Sequence, residues 1–404
     1  MKYIIILGDG MADEPIEKLG NKTVIQSAKT PYMDLLARKG RNGLLDTVPE
    51  GFAPGSEIAN LSVLGYNIPN VYEGRGVLEA ASIGVNVSEG EMAMRCNLVC
   101  LEGDILKNHS AGHISTEEAT ELIEFLEENL GNDQFSFHSG VSYRHVLKMK
   151  GGNKEINCTP PHDIPEKPFR KFIIEPLTDN SKSTAVALNQ LIFKSQEILK
   201  DHPINKKRTA NGKSPANSIW PWSPGFRPKM KLFTEMFPIK SGAVISAVDL
   251  IRGIAVYAGL KVIMVEGATG LYDTNYEGKA IAALDALKEN DFVYLHIEAS
   301  DEAGHEGDVD LKVKTVEYLD RRIVKTIYEE TLEWNEPVTI AVLPDHPTPC
   351  NIRTHTRNPI PFIIYNRKME PDNVQVYDEF AAKDGSYGLL QKDQFIKSFF
   401  NISY

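Results

Sequence analysis

The chain has 404 residues, 42% hydrophobic and 25% charged, a globular composition with length for one to three domains. Its formal net charge of −11 argues against nonspecific nucleic-acid binding, which needs a basic surface. Four cysteines in a chain this long exclude a disulfide scaffold. Cys96 and Cys100 lack the second Cys/His pair of a zinc ribbon, so all four read as reduced and structural.

The first element is the run YIIIL at 3–7. A continuous apolar run that stops at Gly-Asp-Gly predicts a strand buried on both faces. It is too short for a signal h-region or a membrane span, so a cytoplasmic protein is expected. TPYMDLLARKG at 30–40 predicts a short helix, with Thr30 as cap, Pro31 in the first turn and Gly40 as stop. EIANLSVLGY at 57–66 is a second helical pattern. ISTEEATELIEFLEENLG at 114–131 predicts a helix with a capping box of Ser115 and Glu118. STAVALNQLIFKSQEILK at 183–200 predicts another. The stretch 201–229, rich in Pro, Gly, Asn and Trp, lacks periodicity and is expected to be a long connection.

From 241 the pattern alternates. SAVDLIRGIAVYAG reads as a helix, KVIMV as a strand, EGKAIAALDALKEN as a helix and FVYLHI as a strand. DLKVKTVEYLDRRIVKTIYEETLEW then reads as one long helix, followed by the strands VTIAVL and PFIIY. The succession predicts an α/β fold with a doubly wound sheet. Its first strand is N-terminal and the rest lie in the C-terminal half. Residues 1–85 and 181–404 are therefore expected to form one discontinuous domain, with 86–180 an inserted, smaller α+β domain.

The chemistry lies just beyond the buried strands. After YIIIL comes Asp9, between Gly8 and Gly10. After FVYLHI come Glu298, Asp301 and His305. After VTIAVL come Asp345 and His346, with His355 shortly beyond. Ligands of open α/β sheets bind at the carboxyl ends of the strands, so three distant segments are expected to bring Asp and His to one edge. That set, without thiolates, suits two divalent ions of the Mn²⁺, Zn²⁺ or Fe kind rather than Ca²⁺. His296, inside its strand, reads as packed rather than ligating. Glu306, Asp308 and Asp310 read as solvated charge, and His109, His113 and His162 as polar-loop histidines facing solvent or substrate. Ser56 follows Pro-Gly at the start of a helix, where backbone N–H groups and the dipole favour a phosphate. A serine hydroxyl on a metal ionises near neutral pH and can act as a nucleophile; the alternative is a plain N-cap.

The motifs LGDGMAD, APGSEIANLSVLGY, YEGRGVLEA, DTNYEGK, EASDEAGHEGD and LPDHPTP with a following His resemble the archaeal-type, cofactor-independent phosphoglycerate mutases of the alkaline phosphatase superfamily. The match runs in order over nearly the whole chain. The resemblance implies an alkaline-phosphatase-like metal domain plus an inserted substrate-binding domain, and an isomerase that interconverts 3-phosphoglycerate and 2-phosphoglycerate without 2,3-bisphosphoglycerate. Ser56 would carry the phosphoryl group. One ion would be held by Asp9, Ser56, Asp345 and His346, the other by Asp301, His305 and His355. Manganese is the typical ion, with magnesium or zinc as alternatives. The substrate carboxylate needs a planar cationic fork, and Arg144 in GVSYRHVLKMKG is the leading candidate. His162 and Asp163 in PPHD, Arg75 in GRG, and Lys279 in DTNYEGK for phosphate are further ones.

The sequence departs from that family in two places. His113 stands where an Arg is usual, and ANSIWPWSPGFRP is more similar to a bacterial branch for which homoserine kinase activity has been proposed. Alternative readings are thus a homoserine phosphotransferase, although no GxxxxGK[ST] loop is present for ATP, and a metal-dependent phosphomonoesterase. A catalytically dead binding protein would show eroded metal ligands, and none is missing. The expected partner is a small phosphorylated molecule, not nucleic acid or membrane.

Overall fold

The computed structural model describes residues 1–402. The N-terminal apolar run forms the strand Lys2–Gly8 in the middle of an eight-stranded sheet. The strand order is Lys261–Ile263, Gly242–Ile245, Phe292–Ile297, Lys2–Gly8, Val338–Leu343, Ile360–Asn366, Arg41–Asp46, Leu389–Gln391. The first five are parallel, and Ile360–Asn366 runs antiparallel to both its neighbours. Ile4 and Ile6 join one apolar layer with Leu36, Leu287, Val316 and Ile327, while Ile5 and Leu7 on the opposite face are equally buried. Burial on both faces is why this strand reads as an unbroken apolar run rather than an alternation.

This sheet belongs to a compact unit made of Met1–Tyr72 and the chain from Lys229 onward. Two expectations change within it. The run GAVI, just ahead of the expected helix and assigned to no element from the sequence, is the strand Gly242–Ile245, and the helix begins only at Asp249. Four apolar residues carry no period of their own; pairing of Ala243 with both Val293 and Lys261 decides the matter. The expected long helix runs from Val309 to Leu332 but contains a π-helical segment, Leu319–Val324.

The second unit, Glu73–Pro228, is wider at both edges than the expected insertion of 86–180. It is built on the long strand Glu91–Glu102, which pairs antiparallel with Ile105–Asn108, Arg144–Lys150 and Ser218–Phe226; Phe135–Val141 completes the sheet. At its N-terminal edge the helix Arg75–Ser82 lies so close to that strand that a Cβ on Gly76 would meet the Met94 Cα and the Arg95 nitrogen, each at 2.6 Å. At its C-terminal edge the expected connection contains the helix Pro203–Ala210 and the nine-residue strand Ser218–Phe226. Pro221 and Pro224 disguised that strand. Among the described residues it pairs with Glu91–Glu102 alone, which leaves an edge where proline is tolerated. The helix Lys182–Leu199 joins the same core through Leu188, Leu191 and Ile192.

Cys96, Cys100 and Cys350 are buried free thiols and Cys158 is a half-buried one. Among the described residues no helix is long and apolar enough to cross a membrane.

A buried ion pair fixes the two loops that leave the middle strands. Lys312 and Asp13 both have fully buried side chains, with the ammonium 2.8 Å from Asp13 Oδ2. Lys312 Nζ also donates to the carbonyl of Ala12 at 3.1 Å and of Thr348 at 2.8 Å. Asp13 Oδ2 further accepts from the Cys350 amide. One ammonium thus ties the loop after Gly8 to the loop after Leu343. Lys312→Met would strand the Asp13 carboxylate, so urea unfolding followed by circular dichroism should show a loss of about 3–5 kcal/mol. Adding Asp13→Asn should regain part of it. A loss below about 1 kcal/mol in the single variant, the level of an exposed pair, would show that the clamp is dispensable.

Candidate active site

Strand register assembles the site. Gly8 pairs with Ile297, and Leu7 with Leu343. Three chain segments therefore leave the sheet at one level, and each reaches its ligands within a few residues. Asp9 comes directly after its strand, Asp301 lies on the helix Ala299–Glu306, and Asp345-His346 come after one proline. Asp9, Asp345 and His346 are 0% exposed and Asp301 is 5% exposed, so their charges are withdrawn from water.

The ligand atoms converge in two groups. In each, atoms of Asp9, Asp345 and His346, or of Asp301, His346 and His355, lie within 4.8 Å of one another. His346 Nε2 is 3.5 Å from Asp9 Oδ1 and 3.4 Å from Asp345 Oδ2. His305 Nε2 is 3.3 Å from Asp301 Oδ2, and His355 Nε2 is 3.4 Å from Asp301 Oδ1. The two Nε2 atoms of His305 and His355 are 2.9 Å apart. Ser56, half-buried, is the first residue of the helix Ser56–Val63, and its Oγ lies 3.2 Å from His346 Nε2. All seven residues expected as ligands are thus brought together.

Packing so many carboxylates has an electrostatic cost. Burial, then the neighbouring Asp345 and Asp301, raise the pKa of Asp9 well above the usual carboxylate range. Burial would raise Asp301 too, but hydrogen bonds from His305 and His355 overcome it and hold Asp301 well below that range. The same Asp301 bond lifts the His305 imidazole to about 9. Asp9 Oδ1 is buried and has no hydrogen-bond partner among the described residues. A buried carboxylate oxygen left so is costly and rare. Hard oxygen donors mixed with imidazoles and no thiolate suit a divalent cation of the manganese, magnesium or zinc kind. The residues therefore fit the ions that the sequence led us to expect.

Several supporting residues escaped the sequence reading. Asn60, one helical turn after Ser56, donates from Nδ2 to the Ser56 carbonyl and to Asp345 Oδ2, both at 2.8 Å, and accepts from the Tyr294 hydroxyl. Asp345 Oδ1 accepts from the amides of Gly10 at 3.1 Å and His346 at 2.9 Å. Thr348 Oγ1 donates to Asp301 Oδ1 at 2.5 Å. Gly10 adopts φ +61°, and a Cβ there would fall 2.5 Å from Asp301 Oδ1, so glycine is needed for both conformation and space. His296 is buried as expected, yet its Nε2 stands 2.9 Å from Asp9 Oδ2. Burial pushes its imidazole down to about 4. The i, i+4 spacing of Ser56 and Asn60 was a legible signal for the first of these; the others face their partners only through strand register.

The substrate candidates fall elsewhere. Arg144, Arg75, His162 and Asp163 all belong to the second unit. There Arg95, itself unremarked in the sequence, is buried and pairs with Glu79 Oε1 at 2.9 Å under the Trp222 ring. Burial, with Arg75 and Arg144 close by, lowers its pKa against the opposing pull of Glu79. Arg144 opens the strand Arg144–Lys150, and its buried Nε has no partner among the described residues. His162 packs its ring 5.4 Å from that of Trp222, with Asp163 Oδ1 3.8 Å from its Nε2. Lys279, in the first unit, is fully buried and donates to the Thr269 carbonyl at 3.2 Å. Burial lowers it to about 8 against the pull of Glu298. Its burial equals that of Asp9, Asp345 and His346.

Comparison with known proteins agrees with this geometry. Residues 37–205 match the family described as 2,3-bisphosphoglycerate-independent phosphoglycerate mutase. The chain is 51% identical to the protein of that name from Methanosarcina mazei, over 98% of each chain. It is 49% identical to the probable mutase of that name from Geobacter sulfurreducens, again over 98% of each. Among solved structures, a Pyrococcus horikoshii protein superposes with a TM-score of 0.83 at 31% identity, covering 100% of this chain and 98% of that one. The cofactor-independent phosphoglycerate mutase of Thermoplasma acidophilum superposes with a TM-score of 0.69 at 27% identity, over 99% of both chains. Near-complete coverage at such identity leaves one assignment: the chain belongs to the 2,3-bisphosphoglycerate-independent phosphoglycerate mutases.

Proposed function

We propose that this protein interconverts 3-phosphoglycerate and 2-phosphoglycerate through a phosphorylated Ser56, at a site that holds two divalent cations and uses no 2,3-bisphosphoglycerate. The observation that carries the reading is the Ser56 hydroxyl, 3.2 Å from His346 Nε2 at the first position of a helix beside the Asp9, Asp345 and His346 group. Asp9, Ser56, Asp345 and His346 would hold one cation and Asp301, His305 and His355 the other, with manganese proposed as the ion and magnesium or zinc as alternatives. When bound, such ions lower the pKa of a coordinated hydroxyl and draw charge from phosphoryl oxygens.

Ser56 Oγ attacks the phosphorus of 3-phosphoglycerate as the bond from phosphorus to the glycerate 3-oxygen breaks, and that oxygen takes the electron pair. The glycerate 2-hydroxyl then attacks the phosphoserine and Oγ is released. Overall one phosphoryl group moves from the 3- to the 2-oxygen and one proton moves the other way, so no co-reactant is consumed. The amides at the start of the Ser56 helix offer donors to the phosphoryl oxygens. Of the candidates in the second unit, Arg144, Arg75, His162 and Asp163, Arg144 is the one suited to a carboxylate, because a guanidinium fork matches it.

Metal-stripped protein given Mn²⁺ and 3-phosphoglycerate, without 2,3-bisphosphoglycerate, should form 2-phosphoglycerate in ³¹P NMR. Ser56→Ala should lower the rate by at least about 10³-fold, as loss of a nucleophile does. Conversion that persists in the variant would remove Ser56 from the reaction. If the wild type forms no 2-phosphoglycerate but phosphorylates homoserine from ATP, the acceptor is wrong.

Chelation supplies a second check. A ligand present at a hundred times its Kd stabilises the folded state by about 2.7 kcal/mol. EDTA-treated protein should therefore unfold at a lower temperature, and Mn²⁺ should restore both the midpoint and the mutase rate. An unfolding midpoint that ignores Mn²⁺ would speak against a cation site among these carboxylates.

A further inference from the structure

We propose that His296 is a positioning residue, which locks the Asp9 carboxylate with one oxygen engaged by the imidazole and the other presented to the cation site. The proposal rests on the two-cation reading above and adds a residue outside the ligand set. His296 lies in the strand Phe292–Ile297, where its backbone pairs with Leu7, two residues before Asp9. The ring is fully buried, with Nε2 2.9 Å from Asp9 Oδ2 and Nδ1 3.2 Å from Ser246 Oγ.

The surrounding hydrogen bonds decide which ring nitrogen carries the proton. The Val248 amide donates to Ser246 Oγ at 3.0 Å. That hydroxyl, having accepted, has its own proton to give, and its other partner is His296 Nδ1. Nδ1 is then an acceptor, and the ring proton sits on Nε2, facing Asp9 Oδ2. A relay therefore runs from the Val248 amide through Ser246 and His296 to the carboxylate, each member donating to the next. It holds one oxygen of Asp9 and leaves Oδ1 buried, without a hydrogen-bond partner among the described residues and 3.5 Å from His346 Nε2. Groups that orient a metal ligand from behind typically govern metal affinity by about 10–100-fold. A histidine that was merely packed would need neither the serine behind it nor a carboxylate in front.

The test is Mn²⁺ titration of metal-stripped, folded full-length protein by isothermal calorimetry, with circular dichroism as the check on folding. His296→Leu keeps the bulk and removes the donor. It should weaken at least one Mn²⁺ site by about 10–100-fold. His296→Gln, whose amide nitrogen reaches about as far as Nε2, should recover most of that affinity. Ser246→Ala leaves ring and carboxylate in place but frees the tautomer, and should give an intermediate loss; it carries the test if His296→Leu does not fold. If the wild type binds two Mn²⁺ ions and the folded variants bind them as tightly, His296 does not position Asp9 and the proposal falls alone. If the wild type takes up no Mn²⁺, the cation reading of the site falls and takes the proposal with it.

Discussion

Three carboxylates share one corner of this protein from which water is largely excluded, and the surrounding structure answers to that crowding. Asp9, Asp301 and Asp345 are all buried, and repulsion between them is strong where the dielectric is low. Asp301 is relieved by His305 and His355. Asp345 is relieved by two backbone amides and Asn60. Asp9 has His296 on one oxygen and, among the described residues, no hydrogen bond on the other. A divalent charge set among these oxygens turns the crowding from a cost into a binding site.

The scaffold makes that crowding reproducible. Parallel pairing of three adjacent strands fixes the level at which the loops carrying Asp9, Asp301 and Asp345 depart. The buried Lys312–Asp13 pair then ties two of those loops to a helix. Removing either partner leaves an uncompensated charge, so the arrangement has few neighbouring alternatives. Ser56 enters from another direction, on a helix whose first turn is anchored by Asn60 to Asp345 itself. Ser56 and Asp345 thus share one hydrogen-bonded frame.

The second unit answers a different need. Its sheet and the helix Arg75–Ser82 together carry a guanidinium cluster of Arg75, Arg95 and Arg144, with Glu79 as the buried counter-charge. Such a cluster is suited to a small anion, and it rests on secondary structure drawn from both ends of the insertion. The helix Arg75–Ser82 and the strand Ser218–Phe226 flank Glu91–Glu102, which is why the unit reaches well beyond 86–180.

The sequence alone determined the α/β class, most strands of the eight-stranded sheet and several candidate ligands, because Asp9, Asp345 and His346 follow directly on apolar runs whose burial is plain from composition. Ser56 was legible for the same reason, lying at a helix start announced by Pro-Gly. Tertiary structure decided what no local window contains. His296 looked like a packed core residue until register set it against Asp9, and nothing in the helical pattern around Lys312 announced its buried partner Asp13. The strand Ser218–Phe226 was hidden by prolines that only a free sheet edge tolerates, and GAVI was too short to carry a period. In each case the deciding partner lies tens to hundreds of residues away, and strand pairing, which local propensity does not encode, brings it into contact.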